Sequence, residues 1–184
     1  VLRRLELPAT VFLVAASVSE DPGVVDWVDG VPPGKLRTLT PDQVLEMQDQ
    51  GVDFGSHSLT HRNLLSLNEE ECEADLRTSR ELLEGVLGRS VATLAYPGGR
   101  HDEKVRRCAQ RAGFAYAFAV ARDDQRAGRY GIPRAGVYRN DGVSRLKIKT
   151  SPWYLPVRTS RYWALVRDKV RRSGRSSTPR SQEP

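Results

Sequence analysis

Apolar residues follow two different spacings along this chain. Short runs of strand character, rich in β-branched and aromatic residues, occupy Thr10 to Ala15, Val52 to Gly55, Val91 to Tyr96 and Tyr116 to Val120. Between them lie segments with helical spacing and capping signals. Thr40, Pro41 and Gln43, with Gly51 as a stop, predict a helix over Pro41 to Gln50. Asn68 with Glu71 opens a second, whose stripe of Cys72, Leu76, Leu83 and Leu87 ends at Gly88. Asp102 opens a third, with Val105, Cys108, Ala109 and Ala112 inward and Gly113 behind it. Strands alternating with helices predict an α/β fold with a mainly parallel sheet. In such folds functional residues gather at the C-terminal ends of strands and in the loops that follow.

The pattern changes after residue 150. Residues 152 to 172 read as a Pro-Trp-Tyr-Leu-Pro loop and a basic amphipathic helix, Arg161 to Arg172, which either docks on the domain or meets a membrane surface or partner. Ser173 to Pro184 contains no aliphatic or aromatic residue and reads as a disordered tail.

With 184 residues and 39% hydrophobic content, one core plus a tail is expected. The longest apolar run, Val11 to Val18, falls far short of the ~20 residues that span a bilayer, so no transmembrane segment is expected. The N-terminus lacks the features of a signal peptide, and the compartment stays unassigned. Cys72 and Cys108 both fall on apolar helix faces and read as buried free thiols. The net charge of +6 divides unevenly: up to Gln125 there are 14 Lys and Arg against 20 Asp and Glu, and from residue 126 onward 15 against 3. A basic C-terminal third without a recognisable nucleic-acid module reads as a solvated surface, and no nucleic-acid partner is expected.

Two strand ends carry candidate chemistry. Gly55-Ser56-His57-Ser58-Leu59-Thr60-His61 follows the second predicted strand. Two imidazoles four residues apart can converge on one divalent cation if the loop turns as a helical turn does. Taken alone the pair is equally compatible with a surface coincidence; its place behind a strand favours the metal. Leu94-Ala95-Tyr96-Pro97-Gly98-Gly99-Arg100 ends the third strand in a tight turn whose backbone N–H groups can approach a ligand, or which simply turns the chain.

In this order the pieces resemble the polysaccharide deacetylase family, the NodB-homology domain of carbohydrate esterase family four. Leu7-Pro8-Ala9-Thr10-Val11-Phe12-Leu13 is similar to the family's second strand, and His57-Ser58 with His61 to its His-Ser/Thr-x-x-His motif. Ala95-Tyr96-Pro97-Gly98-Gly99 is similar to its Pro-Tyr-Gly turn, and Gly131-Ile132-Pro133-Arg134 to a later Ile-Pro-Arg segment. The resemblance covers about residues 1 to 150. It implies a deformed (β/α) barrel and a divalent metal, zinc before others, held by one Asp and two His that here match His57 and His61. It further implies activation of water for attack on an acetyl carbonyl, an oxyanion donor at the backbone of Gly98, and substrate contacts from Tyr96, Pro97, Gly99 and Arg134. The implied substrate is an acetylated polysaccharide or oligosaccharide, with an envelope-associated complex as a further partner.

The chain departs from the family in its opening. No Asp-Asp precedes the Leu-Pro-Ala-Thr strand, so the barrel is expected to be N-terminally incomplete and the segment impaired as an esterase; the pair Asp123-Asp124 has no matching role. A non-catalytic glycan-binding or structural remnant of the fold is the alternative. No histidine follows His101, itself expected on the surface or in a cap, with a substrate contact as the lesser reading.

Overall fold

The computed structural model describes residues 2–25, 32, 34–121, 127–138, 140–160 and 162–163. Its strands are β1 (Ala9–Leu13), β2 (Val52–Ser56), β3 (Thr93–Ala95), β4 (Tyr116–Val120) and β5 (Ile132–Arg134), and they follow one another across the sheet in chain order. Pairing is parallel from β1 to β2, β2 to β3 and β3 to β4. The α/β architecture is therefore as expected. Helices α1 (Pro41–Asp49), α2 (Glu69–Leu87) and α3 (Glu103–Arg111) connect the parallel strands.

The caps explain the helix boundaries. Thr40 and Asn68 each close a reciprocal capping box with Gln43 and Glu71, and the Asp102 carboxylate accepts from the Val105 amide. Gly88 takes a left-handed conformation at φ 64° to end α2. Two strands are shorter than their apolar runs predicted. β1 stops at Leu13 because Ala15–Ser17 coils into a 3-10 turn, tied to the histidine loop by Ala15 N donating to Ser58 O at 3.0 Å and Ala16 N to Leu59 O at 2.9 Å. Val91 precedes β3 and Tyr96 follows it, although both side chains are fully buried.

By compactness the chain divides into two units. One unit comprises Val1–Ala119 with Gly128–Ile132, the other Val120–Ala127 with Pro133–Pro184. The core of the first unit joins Leu13, Val44, Phe54, Leu76, Leu83, Leu94, Tyr96, Val105 and Phe114. Cys72 and Cys108 lie within it as free thiols, in mutual contact across α2 and α3. Outside the core, Arg111 bridges Glu69 at 2.6 Å and Glu73 at 3.4 Å, pinning α3 to α2.

The second unit holds α4 (Val143–Lys149) and α5 (Tyr154–Arg158). Its tightest polar contact is Lys149 Nζ with Asp141 Oδ2 at 2.5 Å; that ammonium and the Tyr138 amide hold the Asp141 carboxyl below its usual range. The predicted helix Arg161 to Arg172, apart from Tyr162 and Trp163, lies outside the described residues, as do the tail from Ser173 and the Asp123-Asp124 pair. No helix among the described residues is long and apolar enough to cross a membrane.

Candidate metal and active site

Parallel pairing of β2 with β3 brings the two candidate motifs to the same end of the sheet. Ser56, the last residue of β2, is opposite Leu94 of β3. His57 follows directly, its amide donating to Leu13 O at 2.7 Å, and its ring reaches the neighbouring strand, where Nδ1 lies 2.6 Å from the backbone oxygen of Ala95. A carbonyl can only accept, so this contact puts a proton on Nδ1, and in the neutral ring Nε2 is then the lone-pair donor. That is the arrangement in which a second partner orients a metal-binding imidazole. The His61 ring lies 5.0 Å away, centroid to centroid, tilted by 58°.

The loop between the histidines is not a helical turn. Ser58 and His61 both sit at positive φ, 70° and 60°, a region that costs side-chain-bearing residues of order 1 kcal/mol or more. Hydrogen bonds from buried groups hold it. Ser58 Oγ accepts from the His61 amide at 3.0 Å, and Ser56 Oγ accepts from the Ser58 amide at 3.2 Å and pairs with Ser79 Oγ at 2.8 Å. Asp75 Oδ1, on α2, accepts from the Leu59 amide at 3.0 Å. Burial raises the Asp75 pKa, and that hydrogen bond and Arg62 draw it back down.

The turn after β3 separates its residues by role. Pro97 and Gly98 line a groove of about 190 Å³ together with His61, Asn63 and Arg100. Gly98, exposed at φ 61°, has open space where a side chain would begin. Tyr96 points the other way. It is fully buried, its hydroxyl donates to Tyr130 O at 2.9 Å, and burial raises its pKa beyond the usual phenol range. Gly99 is buried and its amide donates to Tyr96 O at 2.8 Å. The expected substrate contacts at these two positions thus become core and turn positions. His101, expected on the surface or in a cap, is 7% exposed, with its ring 5.1 Å from that of Tyr96. Arg134 belongs to the second unit, where it is half-buried and desolvation lowers its pKa.

Asn63 and Arg100 line the groove although neither stood out in the sequence. Asn63 carries a legible signal as a capping residue, its side chain accepting from the Leu65 amide, whereas Arg100 is simply the first residue past the glycines. No group of three or more His, Cys, Asp or Glu placed to hold a metal occurs among the described residues. Imidazole is a donor type that fits a divalent cation, and a catalytic zinc normally has three protein ligands.

One end of the parallel α/β sheet carries the His-Ser-x-x-His loop and the Pro-Gly-Gly turn, and comparison with known proteins assigns the chain to a family. Residues 1–117 match the polysaccharide deacetylase family profile, and the chain belongs to that family. It is 24% identical over 114 residues to YxkH of Bacillus subtilis (strain 168), a protein provisionally described as a polysaccharide deacetylase; the match covers 62% of this chain and 36% of that one. Its fold is similar to that of the Streptococcus pyogenes deacetylase PplD in complex with acetate, with a TM-score of 0.67, 20% identity and coverage of 82% of this chain and 62% of PplD. It is also similar to IcaB from Ammonifex degensii, with a TM-score of 0.62, 19% identity and coverage of 84% and 64%. The sequence thus spans little more than a third of its curated relative and less than two thirds of either solved structure.

Proposed function

We propose that this chain carries part of a metal-dependent hydrolase that removes acetyl groups from a polysaccharide or oligosaccharide, with His57 and His61 holding a divalent cation, zinc by the chemistry of its donors. The observation that supports this most is the 2.6 Å contact of His57 Nδ1 with Ala95 O in a ring whose centroid lies 5.0 Å from that of His61. When bound, the cation supplies a polarised acyl oxygen and a water of lowered pKa. Of the chain's own residues, the Pro97-Gly98 turn walls the groove beside His61, and the exposed backbone at Gly98 would face a developing oxyanion. Asn63 and Arg100 offer polar contacts to sugar hydroxyls in the same groove.

Two imidazoles with no third ligand grouped beside them among the described residues bind zinc weakly, so the chain is expected to need high zinc and to release little acetate. Zinc titration of the chain, followed by histidine ring resonances, with His57→Ala alongside, tests this. Saturable binding that shifts His57 and His61 together and disappears in the variant supports the reading; resonances unmoved by zinc refute it. The absence of a third ligand among the described residues favours a second reading, a non-catalytic glycan-binding form of the fold. Binding of an acetylated oligosaccharide that is indifferent to zinc and to His57→Ala would establish that instead.

A further inference from the structure

We infer that Asp75 is a positioning residue for the histidine pair: its buried carboxylate grips the backbone of Leu59 and thereby sets the geometry in which His57 and His61 meet a cation. The inference rests on the metal reading above for its functional consequence, and its structural half can be tested without metal.

The loop His57–His61 returns on itself through two left-handed residues, Ser58 and His61, neither of them glycine. Such conformations persist only where the surroundings over-determine them. Four groups of the sheet side do part of this: Leu13 O, Ser56 Oγ and the amides of Ala15 and Ala16. At Leu59, midway between the histidines, the only side-chain acceptor of the backbone N–H is Asp75 Oδ1, at 3.0 Å. Asp75 is 6% exposed and stands one turn before Ser79 on α2, and Ser79 holds Ser56 at 2.8 Å. One face of α2 therefore reaches the loop at two points, below its start and at its centre.

Burying a carboxylate is costly unless it gains hydrogen bonds, and a structural role alone would be met more cheaply by an apolar residue in a stripe that already contains Cys72, Leu76 and Leu83. What an apolar residue cannot do is accept from the Leu59 amide. A carboxylate here also faces the same loop as the cation, so its charge opposes none of the chemistry proposed.

Alanine and asparagine variants separate the roles. Asp75→Asn keeps an oxygen where Oδ1 stands and removes the charge; Asp75→Ala removes both. Leu87→Ala, a core substitution at the far end of α2, serves as the control for general loss of stability. Zinc titrations and amide hydrogen exchange at Leu59 are measured on the full chain of each. Loss of a group supporting a metal ligand typically weakens binding about 10-fold to 100-fold, which is the effect expected for Asp75→Ala, with Asp75→Asn within about 3-fold of the parent and Leu87→Ala unchanged. Leu59 exchange should accelerate in Asp75→Ala and stay slow in the other two.

Equal zinc affinity in Asp75→Ala and the parent overturns the proposal. Asparagine falling as far as alanine overturns it too, since charge and not the backbone grip would then matter. If the parent itself binds no zinc, the metal reading of the previous section fails, and Leu59 exchange alone decides whether Asp75 holds the loop.

Discussion

Gly55 offers a sharp test of how tightly the sheet is built beneath the histidines. It pairs with Phe12 of β1, and a Cβ at Gly55 would stand 2.6 Å from Phe12 Cε1 and 2.5 Å from Thr93 Oγ1 on the other side. Carbon atoms in good contact sit ~3.5 to 4.0 Å apart, so Gly55→Ala must push the Phe12 ring by about 1 Å. That ring packs edge-on against Phe118 at 5.7 Å between centroids, which limits its escape. Overpacking of this kind costs about 1 to 3 kcal/mol, and the reduced chain entropy of alanine returns roughly 0.4 to 1, leaving a net loss centred on about 1.3 kcal/mol. Urea denaturation gives the stability change from the midpoint at constant slope. The decisive comparison is the same substitution in a Phe12→Ala background. With the ring gone, the cost of Gly55→Ala should fall by at least about 1 kcal/mol, a coupling that independent sites do not show. Equal costs in the two backgrounds, or a Gly55→Ala protein as stable as its parent, would refute the reasoning.

Two further outcomes are expected. Asn68→Ala, which breaks the capping box of α2, should lower stability by about 1 kcal/mol and Asn68→Asp by much less, read from urea midpoints; equal losses would show that the cap contributes nothing. Burial pushes the Cys72 thiol up from 9.0 to about 12, so the folded chain keeps a proton that the unfolded chain surrenders. Stability from this group is therefore complete below pH 9 and declines as pH rises from there toward about 12. Urea midpoints at rising pH should fall in that window, less steeply in Cys72→Ala, and a flat profile in the parent would contradict the burial.

The parts of the molecule legible in the sequence are those where residue type dictates conformation. Thr40, Asn68 and Asp102 mark helix starts because their side chains have only the orphan amides of the first turn to satisfy, and each does so. Strand ends were less legible. Apolar runs report burial, and Val91 and Tyr96 are buried without being paired in β3. The same ambiguity misplaced Tyr96 and His101: a polar atom on a buried ring needs only one internal acceptor, and Tyr130 O, which serves Tyr96, carries no signature in the residue types. Asp75 and Ser79 were overlooked because the stripe of α2 was read from its apolar members alone. Both occupy that stripe at positions 75 and 79, four apart, and a polar residue at a core-facing position is itself a signal that something across the interface must be satisfied.

This bears on how the two candidate motifs become one site. Read separately, a His-x-x-x-His pair and a Pro-Gly-Gly turn each have an ordinary structural explanation. What unites them is the short parallel register of β2 against β3, a single pairing of Ser56 with Leu94, which carries the Ala95 carbonyl to His57. The contact is made by a backbone atom, and any residue at position 95 would supply it. The contact that puts a proton on His57 Nδ1 is thus set by strand register. It follows that Ala95→Gly, which keeps the backbone carbonyl and adds nothing to a fully buried position, should leave the contact in place.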